Sequence, residues 1–413
     1  MIKNKRSVIL ILISISIIYF AVMIIYAFLP AYLEYLDTPV PMIQLTRSIF
    51  ISTLFIFPSF IGKLSDKIQN RYYFILIGII GMIGSIFLLS FTKNLILINI
   101  LLFIFGFFAS SSIILFTLYV ELVQNDPKKI SLYNACMAAG WFLGVQTGGI
   151  LIYNYGIGHI FLYSLIPFML TLVPVIFIKE DRQLILEQTN KISESNQNSN
   201  NEGEFVDKNP KFKNILSSLF FRSFGIRPIL GTIVIIMGFH FTNQAEIGFL
   251  IGINPLMQFF LMILVGKIIT KKNLKPLMLL GYILTIFIIL GYIYSSNFWS
   301  FLIFQILVAL SYSLFWMGSL TYIAQNSTPK NKGRYMGYAN TSAFAGDSIG
   351  GIFFGLLLLI FNLSYDLSMS YDISMFFMII FPAISLIIVS FRFNPYKKTM
   401  QGSKKILNSE GEH

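Results

Sequence analysis

The sequence predicts an all-α membrane protein whose twelve transmembrane helices form two pseudo-symmetric six-helix bundles. Three observations carry that expectation: the proportion of apolar residues, the number of apolar runs that reach across a bilayer, and a register of motifs repeated between the two halves. Of 413 residues, 56% are hydrophobic and only 12% are charged. A water-soluble domain of this size does not bury so much apolar surface.

A bilayer core needs about 20 apolar residues per helix at 1.5 Å rise each. The first half supplies such runs at 8–29, 43–62, 73–92, 95–122, 130–153 and 159–179. The second supplies them at 224–242, 246–268, 275–295, 298–325, 334–361 and 373–391. The first run is longer than the core of a secretion signal and lacks a small-residue cleavage site, so it reads as a retained spanning helix. Between the halves the composition turns to Asn, Ser, Glu, Lys and Gln, as in Asn190 to Asn198, which cannot form a packed core. The expected domains are therefore an N-terminal bundle over 1–180, a linker over 181–212, a C-terminal bundle over 213–392 and a tail over 393–413. Residues 211–227 mix Phe212, Ile215, Leu216, Leu219 and Phe220 with Lys211, Lys213, Arg222 and Arg227. That pattern predicts a basic amphipathic helix lying on the membrane surface.

A net charge of +12 would point to nucleic acid in a soluble chain, but here the placement of the bases explains it. With the N-terminus in the cytoplasm, the lysines and arginines fall on the inner side, apart from Arg47 and Lys93. This is the positive-inside bias, and it puts both termini in the cytoplasm of a multi-pass protein of the cell membrane. No aromatic-flanked basic module for nucleic acid is present. Arg47 is expected to snorkel to the outer interface or to pair with Glu34 or Asp37. Cys136 is the single cysteine, so no intrachain disulfide forms. His159, His240 and His413 are scattered, without the spacing of a metal site.

The halves repeat one another. Gly62-Lys63-Leu64-Ser65-Asp66-Lys67 is echoed by Gly266-Lys267-Ile268-Ile269-Thr270-Lys271. Pro127, Tyr133, Gly144 and Gly148-Gly149 align with Pro329, Tyr335, Gly346 and Gly350-Gly351 at an offset of about 202, as a duplicated six-helix unit would.

With the stretch Gly62 to Arg71 the sequence resembles the major facilitator superfamily. That family's loop between helices 2 and 3 reads glycine, any, leucine, any, aspartate, base, any, glycine, arginine, base. Here Gly62, Leu64, Asp66, Lys67 and Arg71 fit, whereas Gln69 and Asn70 replace the second glycine and the arginine. A helix-5 pattern of the family is partly kept as Gly140, Gly144, Gly148 and Gly149, with Val145 in place of its proline. The resemblance implies a cytoplasmic gate built from Gly62, Asp66, Lys67, Arg71, Gly266, Lys271 and Arg334, in which Asp66 latches onto the start of helix 11. It also implies that helices 1, 4, 7 and 10 line a central cavity. The glycine pattern suggests an exporter or antiporter. By spacing alone, Gly140, Gly144 and Gly148 share one helix face and admit a close neighbour.

Asp347 is the acid that falls in the middle of an apolar run. Ionisable groups there are expensive, and their default reading is functional. It is the candidate for proton coupling or cation recognition; the alternative is a packing role, with hydrogen bonds from Asn340, Ser342 or Ser348. Ser111 and Ser112 in the fourth run, and Ser311, Tyr312, Ser313 and Trp316 in the tenth, are the candidates for the substrate pathway, against the commoner role of serines in helix packing. His240, Asn243, Gln244 and Glu246 make either an outer gate or an ordinary polar turn.

No nucleotide-binding loop and no catalytic array is present, so neither a cofactor nor an enzymatic role is expected. The expected function is secondary active transport of a small molecule by alternating access, as proton-coupled export by a monomer. Uptake of a small polar solute such as a sugar or metabolite is the alternative within transport. A non-transporting membrane receptor or scaffold is the alternative outside it.

Overall fold

A computed structural model describes residues 5–68, 70–123, 127–179, 210–270, 272–326 and 329–393. The described chain is helical throughout. In lipid a backbone must satisfy its own polar groups, and a helix does so within one segment.

The first half contains α1 (Lys5–Tyr35), α2 (Val40–Ile68), α3 (Arg71–Leu89), α4 (Leu95–Ala109), α5 (Ser112–Leu122), α6 (Pro127–Tyr155) and α7 (Ile160–Ile176). The second contains α8 (Pro210–Gly231), α9 (Ile233–Gly238), α10 (Gln244–Ile268), α11 (Leu274–Ile293), α12 (Phe298–Asn326), α13 (Pro329–Phe361), α14 (Leu367–Met378) and α15 (Ile380–Ile387). Short turns join successive helices, and asparagine or aspartate side chains start several of them. Asn94 Oδ1 accepts from the Ile96 and Leu97 amides at 3.0 and 3.1 Å, and Asp366 caps α14 through the Met369 amide at 2.9 Å.

Among the described residues, eleven segments are long and apolar enough to cross a membrane. The seventh predicted crossing is not among those eleven, and its helix is broken. Its helix runs from Pro210 to Gly231, stops at Thr232, and resumes as α9. Pro228 supplies no amide hydrogen, and the Thr232 amide turns back to the Ile229 carbonyl at 3.1 Å, so the last turn tightens and ends. The fourth crossing is similarly divided at Ser110 and Ser111. The last is divided at Ile379, three residues before Pro382.

The surface helix expected over 211–227 is instead the first part of this seventh crossing. Phe212, Ile215, Ser218, Leu219 and Arg222 are buried, and Phe212 stacks on Tyr335 with ring centroids 4.3 Å apart. Its buried polar residues meet other helices rather than water. Ser218 Oγ lies 2.9 Å from Tyr282 Oη, and the Ser218 carbonyl accepts from Ser385 at 2.8 Å. The helix already begins at Pro210, inside the expected linker; the remainder of that linker lies outside the described residues, as does the tail beyond 393.

The two halves share one close contact, made by Gly144 in the first and Gly346 in the second, and each adds a second glycine on the same seam. Gly140 and Gly144 of α6 sit against the Ser16 and Phe20 carbonyls of α1, and Gly346 and Gly350 of α13 sit against the Phe220 and Phe224 carbonyls of α8. At each position a β-carbon would collide with backbone. The lone hydrogen is what lets the helix axes approach in a medium that offers no hydrophobic drive between them. The second glycine of each Gly-Gly pair, Gly149 and Gly351, turns outward to the other half. A β-carbon on Gly149 would stand 2.7 Å from the Gln244 carbonyl of α10, and Gly351 abuts Ser48 of α2. The halves thus meet along two equivalent seams, α6 with α10 and α13 with α2.

Candidate functional site

Charged side chains converge where the seam of α2 with α13 passes the break in the seventh crossing. Arg47, on the eighth residue of α2, is 2% exposed, and its Nη2 donates to Asp347 Oδ1 of α13 at 2.9 Å. Asp347 is 1% exposed and lies near the middle of a 33-residue helix. The same Nη2 faces Tyr26 Oη of α1 at 2.9 Å and the Arg227 carbonyl of α8 at 3.2 Å. Two hydrogens serve three oxygens, so these bonds are shared. Arg47 Nε and Nη1 meet no protein acceptor.

This corrects the expectation for Arg47. It neither snorkels nor pairs with Glu34 or Asp37. Glu34 instead borders a cavity of about 370 Å³ with Ala31, Tyr35, Ile152, Ile157 and Gln244. Asp347 is held by arginines rather than by Asn340, Ser342 or Ser348. Arg227 Nη1 stands 3.8 Å from its second oxygen, and Ser348 donates elsewhere, to the Ser48 carbonyl at 3.0 Å.

Gly231 makes the arrangement possible. The Arg47 guanidinium lies directly over its α-carbon, in the space a β-carbon would fill. One residue on, Thr232 Oγ1 accepts from Gln44 Nε2 at 3.1 Å. The broken helix therefore exposes backbone and a hydroxyl to α2, and the other half supplies the donors. In a low-dielectric interior such a pair is costly to assemble, and removing one partner costs about 3–5 kcal/mol.

A second buried base, Arg222, has no acid within ion-pair distance among the described residues. Its Nε donates to Thr285 Oγ1 at 3.0 Å, and Nη2 reaches Ser311 Oγ at 3.4 Å. The guanidinium carbon sits 3.8 Å from the centre of the Phe315 ring, a cation–π contact that recovers roughly 2 kcal/mol of the desolvation cost. Amphipathic patterning hid both Arg222 and Arg227. The signal that would have found them is the length of the apolar run around them, since a base inside a span is exceptional in the same way as Asp347.

Of the predicted pathway residues, Ser311 and Tyr312 of α12 lie around this second arginine. Ser311 is buried and lies 2.8 Å from Thr285 Oγ1. Tyr312 is stacked on Trp316, with centroids 5.7 Å apart and planes 17° apart. Ser313 points away, donating to the Ala309 carbonyl at 2.8 Å within its own helix. The serines of the fourth crossing are not brought to this place. Ser111 packs against Gly78 of α3, and its neighbour Ser110 bonds the Gly106 and Thr53 carbonyls at 2.9 and 3.3 Å. Ser112 is half-buried at the start of α5.

The expected cytoplasmic gate lies at the end of the bundle that carries the described chain termini. Gly62 has open space where a β-carbon would stand, Lys67 is exposed and Gly266 faces Met317. Lys271 and the side chains of Asp66 and Arg334 lie outside the described residues. Asn70, which replaces the motif's arginine, starts α3 by accepting from the Tyr73 amide at 3.4 Å, and Arg71 is the first residue of that helix. At the opposite end, Asn243 caps α10 through the Ala245 amide at 2.9 Å and reaches Glu246 at 3.3 Å. His240 packs on Phe301.

Solved structures with the same fold include two described as transporters or transporter homologues. The chain superposes on a point-mutant form of the nucleoside transporter NupG with a TM-score of 0.74 at 11% identity, covering 94% of this chain and 100% of that one. It superposes equally on a bacterial homologue of the human lysosomal transporter Spinster in an inward-facing, occupied form, with a TM-score of 0.74, 12% identity, and coverage of 94% and 96%. No curated protein sequence matches it significantly. A family model does match, over residues 10–366, and by it the chain belongs to the MFS_1 like family of major facilitator membrane transporters.

Proposed function

We propose that this protein is a secondary transporter that carries a small molecule by alternating access, with the Arg47–Asp347 pair fastening the side opposite the termini. The observation that supports this most directly is that the described polar links between halves involve residues in the first turns of α2: Gln44 with Thr232, Arg47 with Asp347, and Ser48 with Ser348. Each link joins one half to the other, and none joins neighbours within a half. Rocking the halves apart at this end breaks all of them together and leaves the internal glycine seams of α1/α6 and α8/α13 intact. In this reading the terminal side is cytoplasmic, the fastened side faces outward, and Asp66 provides the corresponding latch on the inner side.

Proton coupling belongs to the same cycle. Asp347, whose shortest partner Arg47 belongs to the other half, is the carboxylate assigned to it, because an ionisable group inside a span is by default functional. The direction proposed is export, which rests on the glycine pattern of α6 and its resemblance to exporters and antiporters.

The fastening is tested by locking it. A β-carbon on Gly351 would lie 3.6 Å from Ser48 Cβ, within the range a disulfide spans. In a Cys136→Ser background, Ser48→Cys with Gly351→Cys should crosslink under oxidation, stop flux in proteoliposomes, and release it on reduction. Flux that continues in the crosslinked protein would overturn alternating access through this seam. Flux measured with and without an imposed proton gradient tests the coupling.

A further inference from the structure

We infer that Arg222 and Arg227 form an anion-recognising site on the transport path, and that the substrate is a small organic anion with an apolar or aromatic body. The inference rests on the transporter reading above and names its substrate class.

The charge count is the starting point. Among the described residues, three arginines stand against one carboxylate: Arg47 and Arg227 reach Asp347, and Arg222 reaches no acid. Arg47 holds it at 2.9 Å and Arg227 stands off at 3.8 Å. Arg222 bonds hydroxyls only, from Thr285 and Ser311. Two positive charges are left without a matching anion. The accessible one is Arg227, which is 20% exposed where Arg47 and Asp347 are 2% and 1%.

The surroundings supply the second half of the specificity. Arg227 lies over the Phe344 ring, 5.2 Å from its centre, and Arg222 over Phe315. Tyr312 is in electrostatic reach of both guanidinium groups and stacks on Trp316. Guanidinium groups framed by flat aromatic faces suit a planar anion head on an apolar body. A cation would be repelled, and a neutral solute would leave the charge uncompensated.

A purely structural role for the pair is countered by the repeat. Gly144 meets the Phe20 carbonyl and Gly346 the Phe220 carbonyl, which aligns α1 with α8. On that alignment Arg222 and Arg227 correspond to Val22 and Ala27. The same packing is built in the first half without either base, so the fold does not require them.

The test uses the full chain in nanodiscs and one ring carrying different charges: phenyl phosphate and benzoate as anions, benzamide as the neutral probe and benzylamine as the cation. The anions should raise the unfolding midpoint; benzamide and benzylamine should not. Arg222→Gln and Arg227→Gln should each weaken the apparent anion affinity by about tenfold, as expected for losing a charge-assisted contact, and Arg227→Lys should retain part of it. If Arg222→Gln fails to fold, the more exposed Arg227 carries the test alone. Equal stabilisation by benzamide or benzylamine, an anion effect that persists in the Gln variants, or no anion effect would overturn the inference. Flux in proteoliposomes separates it from the reading beneath it. Anion binding without flux counts against transport and leaves the site standing, whereas flux of benzamide without anion binding does the reverse.

Discussion

Arg47 and Asp347 stand 300 positions apart in the chain and meet at 2.9 Å inside the bundle, one from each half. They are a joint between the repeats rather than a feature of either one. The residues that complete the joint come from α1 and α8, so four helices depend on a single guanidinium.

Breaking that joint on one side should destabilise the closed form. Arg47→Gln leaves Asp347 with a partner at 3.8 Å, and Asp347→Asn leaves Arg47 buried without its acid. Each is expected to cost about 3–5 kcal/mol, while the double variant recovers part of it because neither Arg47 nor Asp347 is then left without the other. Thermal unfolding of the four proteins in one detergent measures this. An additive double variant would show that the two residues do not act together.

The same carboxylate bears on coupling. Asp347→Asn cannot exchange a proton, so flux driven by a proton gradient should be lost while counterflow under equal pH survives. Retention of the wild-type pH dependence in this variant would remove Asp347 from the proton path.

Gly231 should be as sensitive as the charges it seats. Gly231→Ala places a methyl in the volume of the Arg47 guanidinium and should cost about 1–3 kcal/mol by overpacking, with reduced flux. Gly238→Ala, where nothing lies within 4 Å of the added carbon, is the control and should be near neutral. Equal midpoints for the two would show that Arg47 has another place to go.

The internal seams should behave alike in the two repeats. Gly144→Val and Gly346→Val each drive a side chain into a backbone carbonyl, of Phe20 and Phe220. Both should lower stability by at least about 1–3 kcal/mol. A large effect in one half only would mean that the halves are not held by equivalent contacts.

Asp66→Asn addresses the proposed inner latch. It should shift the resting population toward opening on the terminal side, read as faster labelling of cysteines placed there and slower labelling on the far side. Unchanged labelling on both faces would leave Asp66 as a topological charge only.

The crossings were legible in the sequence because each is a local property. A run such as 73–92 is apolar enough to leave water by itself, and a helix satisfies its backbone wherever it lies. The repeat was legible for a related reason: Gly144, Gly346 and their neighbours mark close approach without a partner being named. Asp347 stood out because a charge in an apolar run is costly in any fold. What offsets that cost was not legible. The partner arrives from α2, and local spacing had turned Arg47 toward Glu34 and Asp37. Likewise Arg222 reads as one base of an amphipathic surface helix until Thr285, Ser311 and Phe315 close around it. Hydropathy and repeats are carried along the chain, so the spans and their duplication follow from the order of residues alone. Desolvated charges are satisfied across space, so it took the packing of α1, α2, α8 and α13 to choose which of them meet.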